Sequence, residues 1–125
     1  MEYSKPKKIF IVDDDEMLTE ALSDYLTRKV AHDIRVFHTG EESLQQISEN
    51  PDVVILDFYL NTVNKDAVNG LEILSVYRKQ LPNTRVIMLS SQESYGIAVK
   101  TIGKGAEQYV IKGEDAFEEI AKMIV

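Results

Sequence analysis

Short apolar runs alternate along the chain with segments whose apolar residues recur every three or four positions. The runs are Lys8–Val12, Asp33–His38, Val53–Leu56, Arg85–Leu89 and Gln108–Ile111. Those starting at Ile9, Val53 and Val86 are almost continuously apolar, the pattern of strands covered on both faces in a parallel sheet. Val36 and Phe37 sit in a more mixed run, which fits an edge strand. Between the runs, Glu16–Lys29 carries Met17, Ala21, Leu22, Tyr25 and Leu26 as a helical stripe, with Asp15 placed as its N-cap. Thr39 and Glu42 form a capping box ahead of a helix over Glu41–Ser48 that turns Leu44 and Ile47 to one side. The next helix, Leu71–Gln80, points Leu71 and Leu74 inward with Ile73 or Tyr77. Asn69 and Glu72 are placed to cap it, and Pro82 follows its end. Ser94–Ile102 is the weakest helix, because Gly96, Val99, Thr101 and Gly103 all lower helix propensity. Asp115–Ile124 closes the chain with Phe117, Ile120, Ala121 and Ile124 on one face.

Five strands each followed by a helix, in units of about 25 residues, predict an α/β fold with right-handed crossovers. The expected architecture is a three-layer, doubly wound (βα)5 sandwich around a five-stranded parallel sheet of order 2-1-3-4-5. One connection is out of scale. Phe58–Asn69 is long and polar, and reads as a surface loop with its own role or mobility.

Composition narrows the class. The 125 residues are expected to form a single domain over 1–125, and 44% hydrophobic residues argue against disorder. The chain has no Cys, which removes disulfides, thiolate metal sites and thiol catalysis. With only His32 and His38, a multi-histidine zinc site is not expected. Asp and Glu number 21 against 14 Lys and Arg, a formal charge of −7. Such a surface repels phosphate backbones, so direct nucleic-acid binding is not expected. No apolar run approaches a membrane span, and Met1–Lys8 is polar, with Pro6, and lacks the apolar centre of a signal peptide. The expectation is a soluble, cytoplasmic protein without a membrane partner.

The unusual residues fall at strand ends, where open α/β sheets bind ligands. The first strand ends in Asp13-Asp14-Asp15, the third in Asp57, the fourth in Ser90-Ser91 and the fifth in Lys112. In the order 2-1-3-4-5 the first and third strands are neighbours, so Asp13, Asp14 and Asp57 converge with Ser90 and Lys112 flanking. Three close carboxylates repel one another unless protonated or bound to a cation. Mg²⁺ suits them, because it binds through one or two carboxylates and keeps positions for phosphate oxygens. A carboxylate can attack phosphorus, and a lysine and a hydroxyl can hold the remaining phosphoryl oxygens. The constellation reads as a Mg²⁺-dependent phosphoryl-acceptor site. Each residue alone also has an ordinary role: an acidic helix start, a loop aspartate, a serine cap, a surface lysine. Four strand ends supplying matched chemistry by chance is the weaker explanation.

Across residues 6–125 the chain resembles the receiver domain of two-component response regulators. The resemblance rests on "IFIVDDDEMLTEAL", "PDVVILDFYL" with "NGLEIL", "RVIMLSS" and "GAEQYVIKG". It implies a flavodoxin-like fold that accepts phosphate on Asp57 from a sensor histidine kinase or a histidine phosphotransfer protein. It further implies Mg²⁺ held by Asp13, Asp14, Asp57 and the Tyr59 backbone carbonyl. Ser90 corresponds to the switch hydroxyl, Lys112 to the phosphoryl-binding lysine and Tyr109 to the aromatic switch. Phosphorylation is then expected to bias the face made by the fourth helix, fifth strand and fifth helix, read by a downstream effector domain or protein or by a second copy in a homodimer. Tyr59 and Gln92 are expected to flank the phosphoryl pocket and tune the phosphate lifetime.

The chain departs from the family pattern in places. Gly113 follows Lys112 where the family usually has proline after a cis peptide, and Leu60-Asn61 replaces a proline-containing loop. Two other readings compete. One is a receiver-fold interaction module that is not phosphorylated, which those departures permit. The other is a small haloacid-dehalogenase-type phosphohydrolase using Asp13 and Asp15 as a D-x-D motif. Met17 stands where that family has Thr or Val, and Asp57 would be idle. The expected protein is therefore a signalling domain and not an enzyme.

Overall fold

A computed structural model describes residues 5–60, 69–91 and 93–124. Its elements run β1 (Lys8–Val12), α1 (Glu16–Thr27), β2 (Asp33–Phe37), α2 (Gly40–Gln45), a 3₁₀ turn (Ile47–Glu49), β3 (Val53–Asp57), α3 (Gly70–Gln80), β4 (Arg85–Ser90), α4 (Tyr95–Gly103), β5 (Gln108–Ile111) and α5 (Ala116–Ile124). The sheet is parallel throughout, in the order β2-β1-β3-β4-β5. The alternation of strand and helix in sequence thus gives the doubly wound sandwich it predicts.

Strand periodicity sorts the core into two layers. Ile9 and Ile11 face one side with Val53, Ile55, Ile87 and Leu89, and pack under Leu22 and Leu26 of α1 and Ile120 and Ile124 of α5. Phe10 and Val12 face the other side with Val54, Leu56, Val86 and Met88, against Ile73, Leu74 and Tyr77 of α3. Leu44 and Ile47 cover the second layer only in part. Every residue of β3 is buried, as expected for a central strand with helices on both faces. β2, at the sheet edge, is exposed or half-buried along its length.

The expected caps form. Asp15 accepts from the Leu18 N–H, Thr39 from Glu42 and Asn69 from Glu72. Ser94 caps α4 by accepting from Ile97. Three readings need correction. Met17 is 81% exposed and Ala21 is also exposed, and the buried face of α1 is Leu22 and Leu26 with Thr19. The Thr19 hydroxyl donates to the Glu16 carbonyl, so the helix can bury it with its polar atom satisfied. In α3 it is Ile73, Leu74 and Tyr77 that are fully buried, and Leu71 only in part. The second helix stops at Gln45, shorter than Glu41–Ser48, and continues as the 3₁₀ turn to Asn50, whose left-handed φ of 54° ends it. β3 and β4 each run one residue further than their apolar runs, so Asp57 and Ser90 are themselves strand residues.

Candidate functional site

The carboxyl end of the sheet is built by extending the ladder past the apolar runs. The Asp13 N–H donates to the Phe37 carbonyl at 3.0 Å, Phe58 to Leu89 at 3.0 Å and Lys112 to Ser90 at 2.7 Å. Asp13, Asp57, Ser90 and Lys112 are therefore presented by continued strand backbone and not by free loops. β1 and β3 pair through Val12 and Leu56, which puts the following residues, Asp13 and Asp57, side by side. Oxygen atoms of Asp13, Asp14 and Asp57, one from each, lie within 4.8 Å of one another. Asp13 and Asp57 are 1% and 3% exposed, and Asp14 is half-buried.

One cation serves this cluster among the described ion pairs. Lys112 Nζ lies 3.1 Å from Asp13 Oδ2 and 3.4 Å from Asp57 Oδ1. Backbone donors hold the other contacts: Asp15 N–H to Asp13 Oδ1 at 2.9 Å and Tyr59 N–H to Asp57 Oδ1 at 3.2 Å. Burial followed by the charge of Asp13 pushes the Asp57 carboxyl up to about 6, against the opposing pull of Lys112 and the Tyr59 N–H. Burial also raises Asp13, opposed by the Asp15 N–H and Lys112. For Lys112 burial works downward, but Asp57 and Asp13 outweigh it and the ammonium is stabilised. Burial thus outweighs the opposing pull of Lys112 at Asp13 and, with the Asp13 charge, at Asp57.

The residues fit a hard divalent cation. Asp13 Oδ2 is buried and no hydrogen-bond donor is aligned on it, although the Lys112 charge is near. The donors brought together are carboxylate oxygens on two neighbouring strand ends, the ligand type such ions take. Asp15 does not join them. Its side chain is spent on the Leu18 N–H and it is exposed, which removes the D-x-D arrangement.

Of the other predicted residues, Ser90 is fully buried at the end of β4. Tyr109 is half-buried on β5, opposite Met88, and packs against the second core layer. The Tyr59 ring meets Phe58 edge-on at 4.7 Å. Gln92 and positions 61–68 of the long connection lie outside the described residues. Every described peptide bond is trans, Lys112–Gly113 included.

Two residues at this rim were not legible as part of it. Gly70 donates to the Phe58 carbonyl at 3.1 Å, and a Cβ there would come within 2.4 Å of the Asp57 carbonyl oxygen. His38, which enters the sequence reading only in setting aside a multi-histidine zinc site, places Nδ1 3.1 Å from the Asp13 carbonyl oxygen. The hint for Gly70 is its place at the start of a helix after the loop. For His38 only its position one residue past β2 gives any.

Residues 9–125 match the family model described as the response regulator receiver domain. The chain is 29% identical over 123 residues to the response regulator protein VraR of Staphylococcus saprophyticus, an alignment covering 95% of this chain and 55% of VraR. It is 32% identical over 116 residues to the transcriptional regulatory protein CpxR of Escherichia coli, covering 93% of this chain and 47% of CpxR. The chain thus spans about half the length of the curated relatives it matches. Among solved structures, a BeF3-activated DrrB receiver domain superposes with a TM-score of 0.81 at 29% identity, covering 94% of each chain. DrrB is described as a Thermotoga maritima protein. No helix among the described residues is long and apolar enough to cross a membrane.

Proposed function

The chain belongs to the response regulator receiver domain family of two-component systems, and from that premise we propose that it takes a phosphoryl group onto the carboxylate of Asp57. The observation that carries the proposal is the meeting of Asp57 with Asp13, Asp14 and Lys112 at one sheet rim. The donor is a phosphohistidine of a sensor kinase or phosphotransfer protein. An Asp57 oxygen attacks phosphorus as the P–N bond breaks, and the bond's electron pair returns to the donor imidazole nitrogen. Lys112, already 3.4 Å from Asp57 Oδ1, follows the growing negative charge onto a phosphoryl oxygen. Asp13, Asp14, Asp57 and the Tyr59 carbonyl would hold Mg²⁺, which neutralises the acids and the incoming phosphate when bound. The Ser90 hydroxyl takes another phosphoryl oxygen, and the aromatic ring beside Phe58 at Tyr59, with Gln92, slows the approach of water.

Phosphorylation replaces a singly charged carboxylate by a group of nearly two negative charges. Ser90 moves toward it and draws the end of β4, and Tyr109 turns inward behind it. The surface that reads this change is α4, β5 and α5. Tyr95, Val99, Ile102 and Ile111 are exposed there, which supports an apolar output face for an effector domain, effector protein or second copy. Receiver domains are signalling domains, and this chain's own chemistry is the acceptance and loss of one phosphoryl group.

Labelling with acetyl phosphate or phosphoramidate, followed by mass-spectrometric mapping, tests the proposal. The expected result is one acid-stable, base-labile phosphoryl group on Asp57 that requires Mg²⁺ and disappears in Asp57→Asn. Label that survives in Asp57→Asn would overturn the assignment. A chain that takes no label, with Mg²⁺ and donor in excess, would instead be an unphosphorylated interaction module.

A further inference from the structure

His38 lies outside the acid cluster, yet it touches the backbone of its most buried member. A carbonyl oxygen can only accept, so the 3.1 Å contact to Asp13 is a hydrogen bond donated by His38 Nδ1. Asp13 is also held through its own N–H, which donates to Phe37 at 3.0 Å. The last residue of β2 and the residue after it therefore grip both main-chain polar groups of Asp13.

The Asp13 carbonyl belongs to the peptide plane that joins Asp13 to Asp14. Fixing that plane restricts ψ of Asp13 and φ of Asp14 together, and so sets the direction in which the Asp14 side chain leaves the backbone. The Asp13 side chain has separate supports in the Asp15 N–H and Lys112. Among the hydrogen bonds described, the His38 bond is the one made to the peptide oxygen between the two acids. We infer that His38 is a positioning residue for the cation site, aiming Asp14 by clamping the Asp13–Asp14 peptide from β2. This rests on the reading of Asp13, Asp14 and Asp57 as Mg²⁺ ligands. Its energetic basis is general, since groups that orient metal ligands without touching the metal commonly account for about 10- to 100-fold in affinity.

The test compares His38→Ala, His38→Phe and His38→Asn in the 125-residue chain, titrated with MgCl2 and followed by amide NMR shifts. Phe keeps a ring without the donor. Asn places an amide N–H close to where Nδ1 stood. Loss of Mg²⁺ affinity by about tenfold in Ala and Phe, with Asn within about threefold of wild type, is expected. A Phe variant that binds like wild type, or an Asn variant as weak as Ala, would overturn the inference. The Asp13 carbonyl carbon resonance, recorded without metal, provides a second readout. It is expected to move in Ala and Phe and to stay in Asn, and failure to move in either would also overturn it. If the wild-type chain bound no Mg²⁺, the reading of the acids would fail, while the carbonyl resonance would still decide the role of His38.

Discussion

At the scale of single residues, the rim trades stability for chemistry. Asp13 is buried with its carboxyl shifted upward, so the folded state holds its charge less well than the unfolded chain does. A raised carboxyl pKa means that ionisation at neutral pH opposes folding. Asp13→Asn keeps an acceptor for the Asp15 N–H, and Lys112 retains Asp57. Without divalent cations at about pH 7, Asp13→Asn is expected to raise stability, because it removes a buried charge that opposes folding. Excess Mg²⁺ should reverse the order, because only the wild type gains full binding energy. Chemical denaturation with and without MgCl2 checks both halves, and a less stable variant in metal-free buffer would contradict the account. Asp13, Asp57 and Lys112 are legible in the sequence because each directly follows or ends an apolar run and the strand order brings those ends together. His38 is not, because its part is played by one ring nitrogen against a backbone oxygen 25 residues away.

At the scale of elements, the helices show where pattern suffices and where it does not. On a helix with 3.6 residues per turn, Met17 stands about 140° from Leu22, while Leu18 stands about 40° from it. Both choices look periodic over a short window, and only packing of Leu22 and Leu26 on β1 selects between them. The α4 assignment succeeded despite weak propensity, because its cap at Ser94 and its place between β4 and β5 are set by the tertiary structure. Its glycines differ from that of α3. A Cβ at Gly70 would press on the Asp57 carbonyl and on Phe58, whereas Gly96 and Gly103 have open space. Gly70→Ala should therefore lose about 1–3 kcal/mol and slow phosphoryl uptake by displacing the strand end. Gly103→Ala should gain about 0.5–1 kcal/mol by stiffening α4. Thermal melts and labelling rates of the two variants separate these effects, and a Gly70→Ala chain as stable and as reactive as wild type would refute the packing argument.

At the scale of the whole molecule, the two rims of the sheet divide the work. The carboxyl rim carries the acids, and the opposite rim is stitched by contacts of the chain entering β1. Lys7 donates its N–H to His32 Nδ1 at 3.0 Å and accepts from Asp33, and Lys8 bonds Asp52 and pairs with Glu49. Burial, then the nearby Lys7 charge, lowers the His32 pKa below 6.5. The unfolded chain then binds a proton more readily than the folded one. Stability is full above about pH 6.5 and declines as pH falls toward and through the lowered value. His32→Asn, whose Oδ1 stands close to the place of Nδ1 and can still accept from Lys7, should flatten that part of the stability–pH curve, and unchanged curvature would argue against it. The strand–helix alternation was readable along the chain and the sheet has the order expected for a doubly wound fold, whereas this stitching depends on side chains whose types are ordinary for any surface. The stem at Phe58 and Gly70 has one more consequence. The backbone is tied to β4 by the Phe58 N–H and tied off again where Gly70 meets the Phe58 oxygen. Doubling the length of what lies between such ends adds only about 0.6 kcal/mol of closure entropy. The position of the Asp57 strand end is therefore fixed by these two tethers, one to β4 and one to the start of α3, whatever the length of chain that joins them.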